Sequence, residues 1–466
     1  MLRLKPDNMI PAWVRWVNGL ESNPLQGWGL VLESFHVGGI QMEQTLRLTA
    51  EEQAMLEGAE GPGVQRAMEI VVTLGCIYGA SDLVPITHAQ IAGVSYKNLG
   101  EAGIAFLRQW AEEGARVRVP TMLNPMGMEA DRWQEMGINP DFALPQLTVI
   151  DAFNRMGVQL TLSCTPYLLP RVPIRRGDHL AWAESSAVAF ANSVLSAYTN
   201  REGGPSALAA AIVGRTARYG YHLDKNRRAH YVIEVRCPLH DVADFGALGY
   251  LVGKQVGNGI PYFADLAQWL PPLPDDATVG GPAVDRLKTL GAALAAYGAV
   301  ALYHIAGYTP EARDLGERLI RPKARRLVID SLAEAYRVMD ADSELQRVDL
   351  VAIGCPHASL SEIEQVAQRV RGRRLATRLW VTTARAVREQ AAQLGWVQMI
   401  TEAGGEVVAD TCAVVAPMHM MGIRSMATNA GKMACYAPAH SGVRMRFGSL
   451  EQCIEAALTG IWPNAR

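Results

Sequence analysis

Three cysteines share one local setting. Cys164 follows Gln159-Leu-Thr-Leu-Ser, Cys355 follows Leu350-Val-Ala-Ile-Gly, and Cys412 follows Glu406-Val-Val-Ala-Asp-Thr. Each run predicts a strand, so each thiol falls just past a strand's carboxyl end, where open α/β sheets bind ligands. Beyond Cys355 the capping-box pattern Ser359-Leu-Ser-Glu362 predicts a helix start. The positive end of that helix would stabilise a thiolate, the form that binds metal or acts as a nucleophile. Any one of these residues taken singly is more often a buried structural cysteine. Cys237, after a strand predicted at 231–236, obeys the same rule, so position alone does not select the trio. Cys76 falls on an apolar helix face, Cys435 and Cys453 have no metal-like surroundings, and no two of the seven cysteines have C-x-x-C spacing.

A second concentration of reactive groups is polar. Ala181-Trp-Ala-Glu184-Ser185-Ser186 precedes Asn192-Ser193 and then Thr199-Asn200-Arg201-Glu202-Gly203-Gly204. A carboxylate and several hydroxyls in an Ala- and Val-rich segment are costly to bury without partners. The run reads either as a substrate site or as a charged helix cap closed by a Gly-Gly turn. In the first reading Arg201 holds a substrate carboxylate and Glu184 or Glu202 moves a proton. Asn124 in Thr121-Met-Leu-Asn-Pro, His304 ahead of Thr309-Pro-Glu311, and Lys432 in Asn429-Ala-Gly-Lys are further candidates. The chain contains no P-loop, dinucleotide fingerprint, H-E-x-x-H or nucleophile elbow.

The elements that must position these residues alternate between strand and helix. A capping box at Thr49-Ala-Glu-Glu52 opens a helix, and a second helix over 65–78 carries Met68, Val71, Val72 and Ile77 on one face. Strands are predicted at 83–87, 117–120, 159–163, 299–305, 348–353, 379–382 and 406–408. Helices are predicted at 100–113, 184–198, 359–371 and 384–396. Such alternation favours α/β architecture with largely parallel sheets. The expected organisation is an N-terminal extension over 1–41, a catalytic core over 42–324 (two subdomains), an α/β domain over 325–438 and a tail helix over 439–466. The Pro-, Asp- and Gly-rich stretch 271–282 reads as a linker or long loop.

Composition narrows the classes. Of 466 residues 49% are hydrophobic, enough for several cores, and 44 Lys plus Arg balance 46 Asp plus Glu, which argues against a nucleic-acid binder. The apolar stretch 290–308 is interrupted by Tyr297, Tyr303 and His304 and divides into a buried helix and a strand rather than a membrane span. No signal peptide is evident, and a reducing, cytoplasmic setting fits the scattered cysteines.

Several motifs, in order, resemble the large catalytic region of the aconitase X family. They are Ile91-Ala-Gly-Val-Ser-Tyr96, Cys164-Thr-Pro-Tyr167, Ala181-Trp-Ala-Glu-Ser-Ser-Ala187, Thr199-Asn-Arg-Glu-Gly203, Gly354-Cys-Pro-His-Ala-Ser359 and Asp410-Thr-Cys412. The similarity runs over about 42–438. It implies an aconitase-like fold of several α/β domains around a cleft. It also implies an iron–sulfur cluster on Cys164, Cys355 and Cys412, of 2Fe–2S type with 4Fe–4S and 3Fe–4S as alternatives. Three thiolates leave an iron open as a Lewis acid. Together with the polar candidates above, Glu184, Ser185, Glu202 and Lys432 are the catalytic candidates. Ser95, Tyr96, Asn124, Ser186, Asn200, Arg201 and His304 are the candidate substrate contacts. The family's members also need a small swivelling domain with a serine-rich loop, fused or separate. Only Leu32-Glu-Ser-Phe-His-Val-Gly-Gly39 faintly resembles that loop here, so a small partner subunit is expected, and Met42 is a candidate natural start. Met122 and Cys435 stand where the family commonly has Thr and His. The implied activity is dehydration of a small hydroxy acid. With no evident phosphate cradle, cis-3-hydroxy-L-proline, giving pyrroline-2-carboxylate, is favoured over mevalonate 5-phosphate. A non-catalytic metal-binding scaffold is the remaining alternative.

Overall fold

The structure, a computed structural model, describes residues 36–37, 40–41, 46–169 and 174–463. Apart from the backbone of the paired strands β1 (His36–Val37) and β2 (Ile40–Gln41), the expected N-terminal extension lies outside the described residues.

The first unit opens with α1 (Ala50–Leu56), capped by Thr49 and Glu52 as the sequence predicts, and α2 (Pro62–Ile77). Met68, Val71 and Val72 of α2 are buried, whereas Ile77 at its end is exposed. There follow β3 (Leu83–Pro85), β4 (His88–Ile91), α3 (Tyr96–Glu112), β5 (Thr121–Leu123), α4 (Pro140–Arg155), β6 (Leu180–Trp182), α5 (Ser185–Ser193), α6 (Gly204–Val213) and β7 (Arg215–Ala217). β4 lies between β5 and β6 in a parallel sheet, and β3 pairs antiparallel with β7. All four residues of β4 are buried, as a strand covered on both faces requires.

The second unit contains β8 (Ala229–Val235), α7 (Val242–Val256), β9 (Pro261–Phe263), α8 (Pro282–Gly298), β10 (His304–Ile305), α9 (Pro310–Leu315) and β11 (Ile320–Ile329). Its sheet has the order β10-β9-β8-β11, all parallel. Glycines let α7 and α8 nearly touch: a Cβ on Gly298 would lie 2.3 Å from the Gly253 carbonyl oxygen. Among the described residues no helix is long and apolar enough to cross a membrane.

The third unit comprises α10 (Ala333–Met339), β12 (Leu350–Ile353), α11 (Leu360–Val370), β13 (Arg378–Thr383), α12 (Arg385–Gln393), α13 (Trp396–Glu402), β14 (Glu406–Ala409), β15 (Ser425–Thr428), α14 (Gly431–Ser441), β16 (Arg444–Phe447) and α15 (Leu450–Thr459). Its parallel sheet runs β14-β13-β12-β15-β16. The fold is thus mixed α/β with mostly parallel sheets, as expected.

Several expected elements differ. Residues 117–120 form no strand; the ladder starts one step later, at β5. Residues 159–163 make a single bridge from Gln159 to Met122, because Leu162 turns into the left-handed region (φ 45°) and breaks the extended run. After α8, Ala299 takes φ 59° as a left-handed cap, so the strand shrinks to β10. Left-handed Gly395 (φ 79°) divides the helix expected at 384–396 into α12 and the start of α13. The C-terminal stretch is not one helix: β16 adds a fifth strand to the third sheet before α15 begins. The division expected after residue 324 falls inside β11, whose residues pair with β8 of the second unit.

Candidate active site

The first sheet ends in a ring of polar side chains. Gln90 is the third residue of β4, Asn124 follows β5 directly, and Glu184 lies two residues beyond β6. The Glu184 backbone N–H donates to Gln90 Oε1 at 2.8 Å, Gln90 Nε2 donates to Asn124 Oδ1 at 3.2 Å, and Asn124 Nδ2 donates to Glu184 Oε2 at 2.8 Å. Glu184 also caps α5, its Oε1 accepting from the Ser186 N–H at 3.2 Å and from the hydroxyls of Ser186 and Ser185 at 3.0 and 3.4 Å. Lys432, in the first turn of α14, forms an ion pair with Glu184 and donates to Ser186 Oγ at 3.3 Å. The sequence candidates Asn124, Glu184, Ser185, Ser186 and Lys432 therefore meet. Sequence reasoning missed Gln90, which is fully buried; a glutamine set between Ala89 and Ile91 was the signal available.

Electrostatics set the protonation states. Burial pushes the Glu184 carboxyl upward, but the Lys432 charge, with donors on Ser186 and Asn124, outweighs it and holds the group at about 2. Burial lowers Lys432, yet Glu184 and the sulfurs of Cys355 and Cys164 more than offset this and raise it. At neutral pH the pair is ionised.

The three cysteines come to the same neighbourhood from separate loops. Cys164 lies beyond the segment that leans on β5, with the Ser163 N–H bonded to the Leu123 carbonyl. Cys355 follows β12 after one glycine. Cys412 follows β14, and its N–H donates to the Met126 carbonyl at 2.9 Å. Burial raises the Cys164 thiol to about 12, Glu184 and Cys412 push it the same way, and Lys432 opposes. The Cys355 and Cys412 thiols are raised by the same burial, and Lys432 draws both down. The three thiols are thus within electrostatic reach of Lys432 and of one another. Cys237 instead senses Asp244 and Asp330 of other surroundings. Among the described residues no three His, Cys, Asp or Glu side chains close on a single ion.

The remaining candidates divide. Arg201 pairs by a backbone bridge with Trp182 and is exposed; its guanidinium has no hydrogen-bond or carboxylate partner among the described residues. Its bridge to Trp182, two residues before Glu184, puts Arg201 at the border of the site, and Tyr436 on α14 senses Lys432, Arg201 and Glu184 together. Ser95 stands at the N-cap position of α3 and is buried, and its hydroxyl has no partner among the described residues. The Tyr96 hydroxyl turns outward to Glu101 at 2.8 Å. Lys97 beside it, not singled out from sequence, donates to Ser441 Oγ at 3.2 Å and senses Cys412.

Three candidates point elsewhere. Asn200 braces the 219–221 turn, accepting from the Tyr221 N–H at 2.9 Å. Glu202 accepts from Ser206 Oγ at 2.6 Å and Thr216 Oγ1 at 3.2 Å, and burial raises its carboxyl. His304 donates through Nε2 to the Arg227 carbonyl at 2.8 Å, at the other end of α5. For each of them, hydrogen bonding to neighbouring scaffold accounts for the polarity that stood out in the sequence.

Three parallel α/β units with a charged pair and three thiols at strand carboxyl ends define an α/β enzyme site. Family models agree along most of the described chain: the aconitase X first domain matches residues 45–225, the second domain 229–337 and the third domain 348–459. The chain belongs to the aconitase X family and is a hydro-lyase of that family. It is 45% identical to the phosphomevalonate dehydratase large subunit of Methanocaldococcus jannaschii, covering 88% of this chain and 99% of that one. It is 38% identical to the cis-3-hydroxy-L-proline dehydratase of Pseudomonas aeruginosa, covering 90% of this chain and 71% of that one. The crystal structure of Thermococcus kodakaraensis aconitase X in its holo-form matches with a TM-score of 0.79 and 43% identity, over 88% of this chain and 100% of that one.

Proposed function

We propose that this chain is the large subunit of a cytoplasmic dehydratase acting on a phosphorylated hydroxy acid of the mevalonate 5-phosphate type, with a small partner subunit and an iron–sulfur cluster. The observation that carries this reading is a pair of cations at the border of the site, Arg201 and Lys97, neither paired with a carboxylate among the described residues. Such a substrate presents two anions, a carboxylate and a phosphate, and guanidinium and ammonium groups are the side chains that bind them. The identity to large subunits of phosphomevalonate dehydratases supports the same choice. Their designation as large subunits supports the small partner.

The residues present fit a cluster. Cys164, Cys355 and Cys412 are soft donors, none of them in a disulfide, and Lys432 favours their thiolate forms. Together they would hold a cluster of more than one iron, so the three need not close on one ion. The cluster supplies a Lewis-acidic iron for the departing hydroxyl.

The elimination itself falls to the chain's own groups. Glu184 is held ionised chiefly against its burial by Lys432. A substrate carboxylate that draws the Lys432 ammonium toward itself lets burial raise Glu184, which then accepts the proton from the carbon beside that carboxylate. The carbon–hydrogen pair becomes the new double bond as the neighbouring carbon–oxygen bond breaks and the hydroxyl leaves. Lys432 stabilises the charge that builds on the carboxylate. Asn124, Ser185 and Ser186 hold Glu184 in place.

Hydroxyproline, favoured by the sequence for want of a phosphate cradle, is the second reading, supported by the match to the Pseudomonas enzyme. An anaerobic assay of the reconstituted chain, alone and with its small partner, separates the two. Turnover of mevalonate 5-phosphate only with the partner is the expected result. Turnover of cis-3-hydroxy-L-proline alone among the two substrates overturns the phosphate assignment.

A further inference from the structure

One buried side chain touches all three cysteine loops. His357, two residues past Cys355, is 1% exposed. Its backbone N–H donates to Cys164 Sγ at 3.2 Å. Its Nε2 bonds the Thr411 carbonyl at 3.0 Å, immediately before Cys412, and its Nδ1 lies 3.4 Å from Ser163 Oγ, immediately before Cys164. Lys288 of α8 donates to the His357 carbonyl at 3.0 Å and forms an ion pair with Glu362 in the first turn of α11. The His357 contacts therefore join a loop of the first unit, a helix of the second and two loops of the third.

From this geometry we infer that His357 is the positioning residue that sets the mutual arrangement of Cys164, Cys355 and Cys412; this rests on the cluster reading above. Because the Thr411 carbonyl can only accept, Nε2 carries the proton and Nδ1 accepts from the Ser163 hydroxyl. Both ring nitrogens are therefore occupied, and His357 is an organiser of ligands, not a ligand. The backbone N–H on Cys164 Sγ also withdraws electron density from one sulfur of the three, an influence to which cluster spectra and potentials respond. No local motif specifies such a role: Ser163 and Thr411 are 194 and 54 residues from His357.

The test compares the wild-type chain, His357→Leu and His357→Gln after anaerobic reconstitution with iron and sulfide. Iron content, the electron paramagnetic resonance spectrum of the reduced protein and the rate of iron loss to a chelator are followed. His357→Leu removes both ring bonds and is expected to lose iron about 10–100-fold faster with an altered spectrum. His357→Gln keeps a donor toward Thr411 and is expected to fall between. Circular dichroism of the metal-free proteins checks that each variant folds; if His357→Leu does not, Ser163→Ala, which removes the Nδ1 partner together with the Ser163 Oγ bonds to Thr165, takes its place and is expected to lose iron faster than wild type. A wild-type rate and spectrum in His357→Leu, or in Ser163→Ala when it stands in, overturns the proposal, as does His357→Gln behaving no better than His357→Leu. A wild-type chain that binds no iron overturns the cluster reading and this inference with it.

Discussion

The two ends of helix α5 carry the same kinds of groups and do opposite things with them. At its N-terminus Glu184 meets Lys432, Asn124 and two serine hydroxyls, and its neighbours include the three thiols and the unpaired Arg201. Just past its C-terminal turn Arg227 meets Glu311 at 2.7 Å and Asn192 Oδ1 and carbonyl oxygens, with its guanidinium 4.3 Å from the centre of the Tyr198 ring. His304 and Glu311 stand 3.9 Å apart beside it. In both places an amide, a carboxylate and a cation are buried together. The difference is that in the Arg227 cluster, which lines a cavity of about 280 Å³ with Tyr198 and Asp224, the cation is matched by Glu311 and by backbone carbonyls, whereas the Glu184 cluster adjoins cations and thiols that the scaffold leaves uncompensated. Burial of polar groups marks cost; a surplus of unmatched charge and soft donors marks a site.

The comparison can be broken from either side. Glu184→Gln is expected to lower kcat by about 10²–10⁴-fold while the metal-free protein melts near the wild-type temperature; retained turnover would remove Glu184 from the chemistry. Arg227→Met leaves Glu311 buried without its cation and is expected to cost about 3–5 kcal/mol of stability in urea unfolding, with turnover per folded molecule unchanged. Loss of turnover without loss of stability there would erase the distinction. Arg201→Ala, at the exposed border, is expected to raise KM about tenfold with a smaller change in kcat; an unaltered KM would count against its role as a clamp.

The smallest effect is one of pH. Burial lowers His88, which accepts from Trp182 Nε1, to about 4, and burial with the charges of His179 and Arg227 lowers His222 to about 3. Both titrate lower in the folded chain than their ordinary 6.5, so the unfolded chain takes up the protons first. Their contribution is complete above pH 6.5 and is lost as pH falls toward 4 and 3, by at most about 1.4 kcal/mol per pH unit for each group. Urea midpoints at pH 7.5, 6 and 5 measure the decline, and His222→Phe should flatten it; an unchanged slope in that variant would contradict the assignment.

Much of this was legible along the chain. The capping boxes at Thr49 and Ser359 opened helices where the pattern put them, because a cap and its third-residue carboxylate are local. β12, β13 and β14 were readable as short apolar runs. Residues 117–120 and 299–303 misled for the opposite reason: apolar runs that read as strand became loop and cap, the ladder with β4 beginning only at Thr121 and Ala299 turning left-handed after α8. Glu202 and His304 looked chemical because they are polar among apolar residues, and only their partners, Ser206 and Thr216 for the one and the Arg227 carbonyl for the other, revealed what that polarity satisfies.

The sequence by itself determined the kinds of groups available: three thiols past strand ends, a capping glutamate with two serines, and an α/β alternation to carry them. Which groups meet was decided only by tertiary structure. Glu184 and Lys432 are 248 residues apart, and His357 lies 193 residues from the Cys164 sulfur that its backbone reaches. Parallel strands deliver their carboxyl ends to one edge of each sheet, and the loops beyond those edges of the first and third sheets meet, as the Met126–Thr411 bridge records. Spacing along a sequence records local bonds; the pairing of a buried acid with its base, or of a histidine with three loops, is settled by which sheet edges pack together.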